Sequence, residues 1–147
     1  MKIDPFQRFL DAQNPIYVEV LAELSAGKKR SHWMWFIFPQ HVALGTSDRA
    51  KRYGLYGTEQ ARDYLAHPVL GQRLLECCRL MKQKANRSAA AILGDVDALK
   101  FRSCLTLFHS AAPSEPIFGE LLELFYAGQP DLLTLDLIQP EVGRAAL

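Results

Sequence analysis

The sequence contains little of what marks secreted, zinc-binding or membrane-spanning proteins. It has three cysteines, of which Cys77 and Cys78 are adjacent, and an odd count suits free thiols in a reducing compartment better than a disulfide framework. No Cys-x-x-Cys pair or Cys/His ligand spacing appears, so neither a metal nor a cofactor is predicted. The longest apolar run, Trp33 to Phe38, is far shorter than the roughly 20 residues that span a bilayer, and the first residues lack an apolar signal core. These absences predict a cytoplasmic protein with no membrane partner.

Repeats, low-complexity tracts, linkers and alternating strand patterns are also missing. A chain of 147 residues is then expected to form one domain, 1–147, of mainly α class with about seven helices around a single core. Proline, glycine and capping residues delimit the apolar periodic segments. Helices are predicted over about 5–13, 15–26, 58–66, 68–84, 95–111, 116–126 and 131–138, with a short helical turn over 88–94.

Charge is unevenly distributed although the net charge is only +1. Six basic residues and one acid lie between Lys28 and Arg52, whereas six acids and one base lie from Pro113 to Leu147. The basic stretch is either an anion-attracting surface or solvated charge that the acidic stretch neutralises in the fold. Because the chain as a whole is near neutral, nucleic-acid binding is not expected.

The segment Ser31–Gln40 holds both tryptophans of the chain and directly follows three basic residues. It is apolar all round, so periodicity does not decide between a buried helical turn and an extended segment. Three interpretations stay open: a dense core plug, the wall of a ligand pocket, or a protein-binding patch. Basic groups beside aromatic faces are the combination that binds a base together with its phosphate.

Two further features carry polar groups that can meet an anion. On the helix predicted after Asp95, the side chains of Arg102, Thr106 and His109 share one side, with Ser103 on its edge, and this side faces either solvent or a pocket. Ser47 follows Gly45 at a helix start, where backbone N–H groups and its hydroxyl serve either an anion or an ordinary turn and cap.

Several strings resemble the bacterial family known as domain of unknown function 1810. They span most of the chain, and the longest is Gly27-x-Lys29-x-Ser31-His32-Trp33-Met34-Trp35-Phe36-Ile37-Phe38-Pro39-Gln40, with Leu44-Gly45-x-Ser47, Tyr64-Leu65-x-His67-Pro68 and Lys100-x-Arg102-Ser103-x-x-Thr106. The resemblance implies a stand-alone, mostly helical domain and assigns no activity. Members are sometimes labelled calpastatin, but inhibitors of that kind are disordered segments, unlike this globular composition. Cys104 stands where relatives tend to have a serine.

The leading hypothesis from the sequence is a domain that binds a small anionic or nucleotide-like ligand in an aromatic and basic pocket. His32 is the one candidate catalytic residue, as the acid or base of a hydrolysis, because imidazole titrates near neutrality. The alternative is a non-enzymatic interaction module that uses the aromatic segment 32–38. The oligomeric state is not predicted. The proposed ligand-binding residues are Lys29, Ser31, Trp33, Trp35, Gln40, Ser47, Arg102, Ser103 and Thr106.

Overall fold

Ten α-helices follow one another in the part of the chain that the structure describes. The structure is a computed structural model that describes the backbone of residues 3–146 and the side chains of residues 3–139. A 3-10 helix, Val42–Leu44, lies between α3 and α4, and no strand occurs among these residues. The helices are α1 (Gln7–Gln13), α2 (Tyr17–Ala26), α3 (Met34–Ile37), α4 (Asp48–Tyr53), α5 (Thr58–Ala66), α6 (Leu70–Gln83), α7 (Ala89–Leu93), α8 (Asp95–Ala111), α9 (Pro116–Tyr126) and α10 (Leu132–Ala146).

The helix ends follow from the punctuation of the sequence. Gly27 ends α2 with a φ of 72°, a left-handed conformation that glycine adopts without steric cost. Ser88 starts α7, and its Oγ accepts a hydrogen bond from the Ala91 N–H. The Asp131 carboxylate accepts the Thr134 N–H at the start of α10 in the same way. Short side chains with an acceptor oxygen therefore satisfy the first free N–H groups of these helices.

Helix α8 lies at the centre of the molecule and packs against α5, α7, α9 and α10. Phe101, Cys104, Leu105, Leu107 and Phe108 are fully buried on it and belong to one connected hydrophobic core. Such a helix is apolar around most of its circumference because neighbours cover it on several sides. Its exposed and half-exposed positions lie mainly in the first two turns and at the C-terminal end, and they decide what the helix can offer a ligand.

The aromatic segment resolves into a single buried turn of helix, α3, between two loops. Trp33, Met34, Ile37 and Phe38 are each at most 2% exposed. The Phe38 ring packs edge-on against Phe101 of α8, with the ring centroids 4.7 Å apart. Of the two conformations that the sequence left open, the buried helical turn is the one observed.

Glycine allows α5 and α6 to approach closely. A Cβ built on Gly71 would lie 1.9 Å from the carbonyl oxygen of Leu65. Because this neighbour is backbone rather than the end of a flexible side chain, no larger residue fits without moving one of the two helices.

The mainly α prediction is confirmed, and two details differ from the sequence-based expectation. The count of about seven helices omitted the short helices α3 and α4, and α7 was expected only as a helical turn. The last helix was expected to end at Ile138, yet α10 continues through Pro140, which has no backbone N–H to donate. No helix in residues 3–146 is long and apolar enough to cross a bilayer. Of the acidic C-terminal stretch, the side chains of Glu141 and Arg144 lie outside the described residues.

Candidate functional site

The carboxylate of Glu23, on α2, organises the loop that leads into the aromatic segment. Its Oε1 accepts the backbone N–H of Arg30 at 2.6 Å, that of Ser31 at 2.9 Å and the indole Nε1–H of Trp33 at 3.1 Å. Its Oε2 accepts the Ser31 hydroxyl at 2.7 Å. Partial burial opposes ionisation, but these four hydrogen bonds outweigh it and lower the pKa of Glu23 to about 2. The sequence pattern did not identify Glu23, which lies several residues before this loop.

A second carboxylate, that of Asp97 in the first turn of α8, contacts two lysines. Lys29 Nζ lies 2.9 Å from its Oδ2 and Lys100 Nζ lies 3.8 Å from its Oδ1. Each lysine also sits over a tryptophan ring, Lys29 over Trp33 and Lys100 over Trp35, at 5.1 Å from the ring centroid in both cases. This arrangement fixes the basic loop and the aromatic segment to the N-terminal end of α8.

A small cavity lies under Trp35. Its free volume of about 10 Å³ is room for about one water molecule. The backbone of Gln40, one of the lining residues, accepts a hydrogen bond from the Leu55 N–H at 3.0 Å. The predicted ligand residues Trp35 and Gln40 therefore do share a cavity, but it is too small for an organic ligand. Its walls are Met34, Trp35, Phe38, Gln40, Ala50, Tyr53, Gly54 and Lys100.

A larger groove lies beside this cavity on the surface formed by α1, α3 and α4. Its volume is about 420 Å³, which is within the usual range of ligand sites. Two arginines, one histidine and two aromatic residues line it, and none of the described residues that line it is acidic. We call it the arginine groove, and its lining residues are Ala12, His32, Phe36, Arg49, Arg52 and Tyr53.

Hydrogen bonds from α1 hold the backbone on two sides of the arginine groove. The buried Gln13 amide donates to the Phe36 carbonyl at 2.6 Å, and Arg8 Nε donates to the Arg52 carbonyl, also at 2.6 Å. The centroids of the Phe36 and Tyr53 rings, which also line the groove, lie 5.3 Å apart. These hydrogen bonds hold the backbone of Phe36 and Arg52, and the side chains of both residues line the groove.

Arg102, Ser103 and Thr106 do not join the aromatic segment, and the expectation of a shared pocket is corrected here. Arg102 Nε donates to the Gln129 carbonyl at 2.9 Å, and its guanidinium lies over the Tyr126 ring. The Ser103 and Thr106 hydroxyls donate to carbonyls one turn earlier on α8, and Thr106 Oγ1 also accepts the Asp131 N–H. This face of α8 holds the connection to α10, and the helix contributes Lys100 to the cavity instead.

The remaining predicted site residues either make contacts within the protein or are accessible to a ligand. Ser47 Oγ accepts the Ala50 N–H and caps α4, so it serves as the ordinary cap. Lys29, Ser31 and Trp33 are occupied by Asp97 and Glu23, as described above. His32 is exposed and lines the arginine groove, and no residue in the described part of the chain hydrogen-bonds to its ring.

The geometry offers neither an accessible, reactive cysteine nor a metal site among the described residues. Cys104 is fully buried, and burial raises the pKa of its thiol well above the ordinary value. Burial likewise raises the pKa of Cys77 to about 12. Over the residues that the structure covers, no group of His, Cys, Asp and Glu side chains has the arrangement of a metal site.

The fold buries most of the aromatic surface that the interaction-module alternative requires. It required an exposed aromatic cluster over 32–38, but Trp33 and Phe38 are 1% exposed and Met34 and Ile37 are buried as well. Trp35 and Phe36 remain partly exposed, and both face the cationic side chains of the site. The segment is therefore mainly core, with two rings at the edge of the site.

Comparison with known proteins places these features in a family of helical proteins. A solved structure with the same all-helical fold is the crystal structure of the conserved hypothetical protein Rv1873 from Mycobacterium tuberculosis. It is 46% identical to this chain, the alignment covers 92% of this chain and 99% of that one, and the TM-score is 0.90. The chain belongs to the family described as protein of unknown function (DUF1810), whose sequence profile matches residues 4–138. No curated protein shows significant similarity.

Proposed function

We propose that this protein binds a small organic anion in the arginine groove. The observation that carries the proposal is the pairing of two arginines with aromatic walls and no acidic lining. Arg49 and Arg52 line the groove, and in residues 3–139 neither guanidinium lies within 4.0 Å of a carboxylate. Guanidinium groups bind phosphate and carboxylate through paired N–H donors, so unpaired ones beside a cleft favour an anionic ligand.

The aromatic walls indicate that the anion is part of a larger, partly flat molecule. Phe36 and Tyr53 present rings to the groove, and the Arg52 guanidinium lies 5.7 Å from the centre of the Tyr53 ring. A planar group can stack on such rings while its phosphate or carboxylate meets the arginines. A nucleotide-like ligand combines both parts, and a groove of about 420 Å³ accommodates a molecule of that size.

His32 supports binding more directly than catalysis. A general base is normally oriented by a hydrogen bond to its second ring nitrogen, and His32 has no such partner among residues 3–139. Its imidazole lines the groove and can donate a hydrogen bond to a bound anion. Hydrolysis would require the ligand or a water molecule to orient this ring.

Replacing the arginines tests the proposal. Isothermal titration of AMP and phenyl phosphate into the wild type should show binding that weakens about tenfold or more in Arg52→Gln, because a charge-assisted hydrogen bond contributes about 1.5–3 kcal/mol. Lys51→Gln is the matched control, since it removes the same charge from the neighbouring exposed position of α4, outside the lining of the groove. Equal weakening in both variants, or no binding of any aromatic phosphate, would refute the proposal.

A further inference from the structure

We infer that the ligand carries two phosphate groups, and that Lys100 binds the second one across the edge of Trp35 from the arginine groove. The inference rests on the proposed function and adds the class of ligand to it. Lys100 and Arg49 are contributed by helices far apart in sequence, α8 and α4, and they meet at the same indole ring.

The Trp35 ring sets an upper limit on the distance between the two cations. Arg49 Cζ and Lys100 Nζ each lie 5.1 Å from the centre of the Trp35 ring, so they are at most about 10 Å apart, twice that distance. Arg49 lines the arginine groove, whereas Lys100 and Trp35 line the small cavity, and Tyr53 lines both spaces. Two like charges are tolerated here because the electron-rich ring faces attract each of them.

The charge around Lys100 is only partly neutralised by the protein. Asp97 forms the closer ion pair, 2.9 Å, with Lys29, whose side chain is 8% exposed, and a longer one, 3.8 Å, with Lys100, whose side chain is 27% exposed. One carboxylate thus serves two ammonium groups, which leaves one positive charge in excess. Lys100 is the partner that is more weakly held and more accessible, so a second anion can take its ammonium group without breaking the pair that fixes the loop.

These positions define the ligand by the spacing of its charges. The cavity of about 10 Å³ next to Lys100 cannot admit a phosphate, so the second group must lie at the exposed edge of Trp35 rather than beneath it. A compact diphosphate and a bisphosphate on one nucleoside both place two phosphate groups within reach of cations about 10 Å apart or closer. A monophosphate reaches only the arginines.

The experiment compares ligands with one and two phosphate groups on wild type and Lys100→Met. AMP, ADP and adenosine 3′,5′-bisphosphate are titrated by calorimetry. Trp35 emission provides a second readout, with Trp35→Phe identifying its share of the signal. We expect at least one of the two-phosphate ligands to bind the wild type about tenfold more tightly than AMP. Lys100→Met should remove most of that advantage while changing AMP affinity less than twofold.

Two controls separate this role from general charge or stability effects. Lys100→Arg retains the cation and should restore most of the advantage of the second phosphate, and Lys51→Met should leave it intact. If AMP binds and Lys100→Met weakens one-phosphate and two-phosphate ligands alike, or neither, the inference is overturned while the proposed function stands. If none of the three nucleotides binds the wild type, the inference is overturned, and if phenyl phosphate does not bind either, the proposed function is overturned as well.

Discussion

Replacing Glu23 by glutamine should destabilise the loop that carries the basic and aromatic residues. The carboxylate accepts four hydrogen bonds, including those from the Ser31 hydroxyl and the buried Trp33 indole. A glutamine oxygen in the place of Oε1 keeps three of these acceptances without the negative charge, but the amide nitrogen in the place of Oε2 cannot accept the Ser31 hydroxyl. The variant therefore loses the charge and part of the hydrogen-bond set without creating a cavity.

The size and pH dependence of the effect follow from the pKa of Glu23. A fall from 4.5 to about 2 on folding corresponds to about 3 kcal/mol at neutral pH, an upper figure because the carboxylate is only partly buried. Since folding lowers this pKa, the stabilisation is complete above pH 4.5 and is lost as the pH falls towards 2. Glu23→Gln should thus be less stable than wild type by about 2–3 kcal/mol at pH 7, with the difference shrinking at pH 3.

Urea denaturation, monitored by far-ultraviolet circular dichroism at pH 7, 4.5 and 3, measures the free energy of unfolding of both proteins and its pH dependence. Glu19→Gln is the matched control, because Glu19 lies one turn earlier on α2 and is exposed. That variant should change the free energy of unfolding by less than about 0.5 kcal/mol. A wild-type advantage over Glu23→Gln that is the same at pH 3 as at pH 7 would contradict the assignment of the lowered pKa to this carboxylate.

Two further substitutions test the packing and the corrected role of α8. Gly71→Ala should lower the free energy of unfolding by more than about 2 kcal/mol, because its Cβ would overlap the Leu65 carbonyl oxygen. In Gly119→Ala the Cβ would meet only the His109 ring at 3.0 Å, so thermal denaturation should show a much smaller change, and equal losses would contradict the close approach of α5 and α6. Arg102→Ala should leave nucleotide affinity within twofold of wild type and reduce stability by about 1 kcal/mol through the lost hydrogen bond to Gln129. A large loss of affinity in a stably folded Arg102→Ala protein would restore Arg102 to the site.

Local signals in the sequence account for most of the fold. Gly27, Ser88 and Gly94 delimit helices because their backbone or side-chain chemistry acts within a few residues. The sequence indicated a helix start at Ser47 but not the extent of α4, because its six residues, Asp48–Tyr53, are mostly polar and carry no apolar periodicity. The Ser47 cap and packing against α3 and the 3-10 helix stabilise α4. The packing is a tertiary effect, which a local sequence pattern does not predict.

The site was predicted in part, and the missing part has a geometric reason. Helical periodicity showed that Arg102, Ser103 and Thr106 share a face, but it does not state what that face meets in the fold. Asp131 and Gln129, both beyond α9, occupy it. Lys100 lies on a neighbouring face of α8. The packing of Phe38 against Phe101 joins α8 to the aromatic segment, and Lys100 contacts the Trp35 ring there.

The protein's own carboxylates determine which basic residues remain available to a ligand. Lys29 and Ser31 suggested an anion site from their residue types, and each does bind an anion, but that anion is Asp97 or Glu23. Arg49 and Arg52 contact rings rather than carboxylates within the described residues. Because a ligand anion gains most from cations that the fold has not already neutralised, we propose the binding surface on α4, later in the chain than the tryptophan-rich loop, where the Arg49 guanidinium lies over the Trp35 ring.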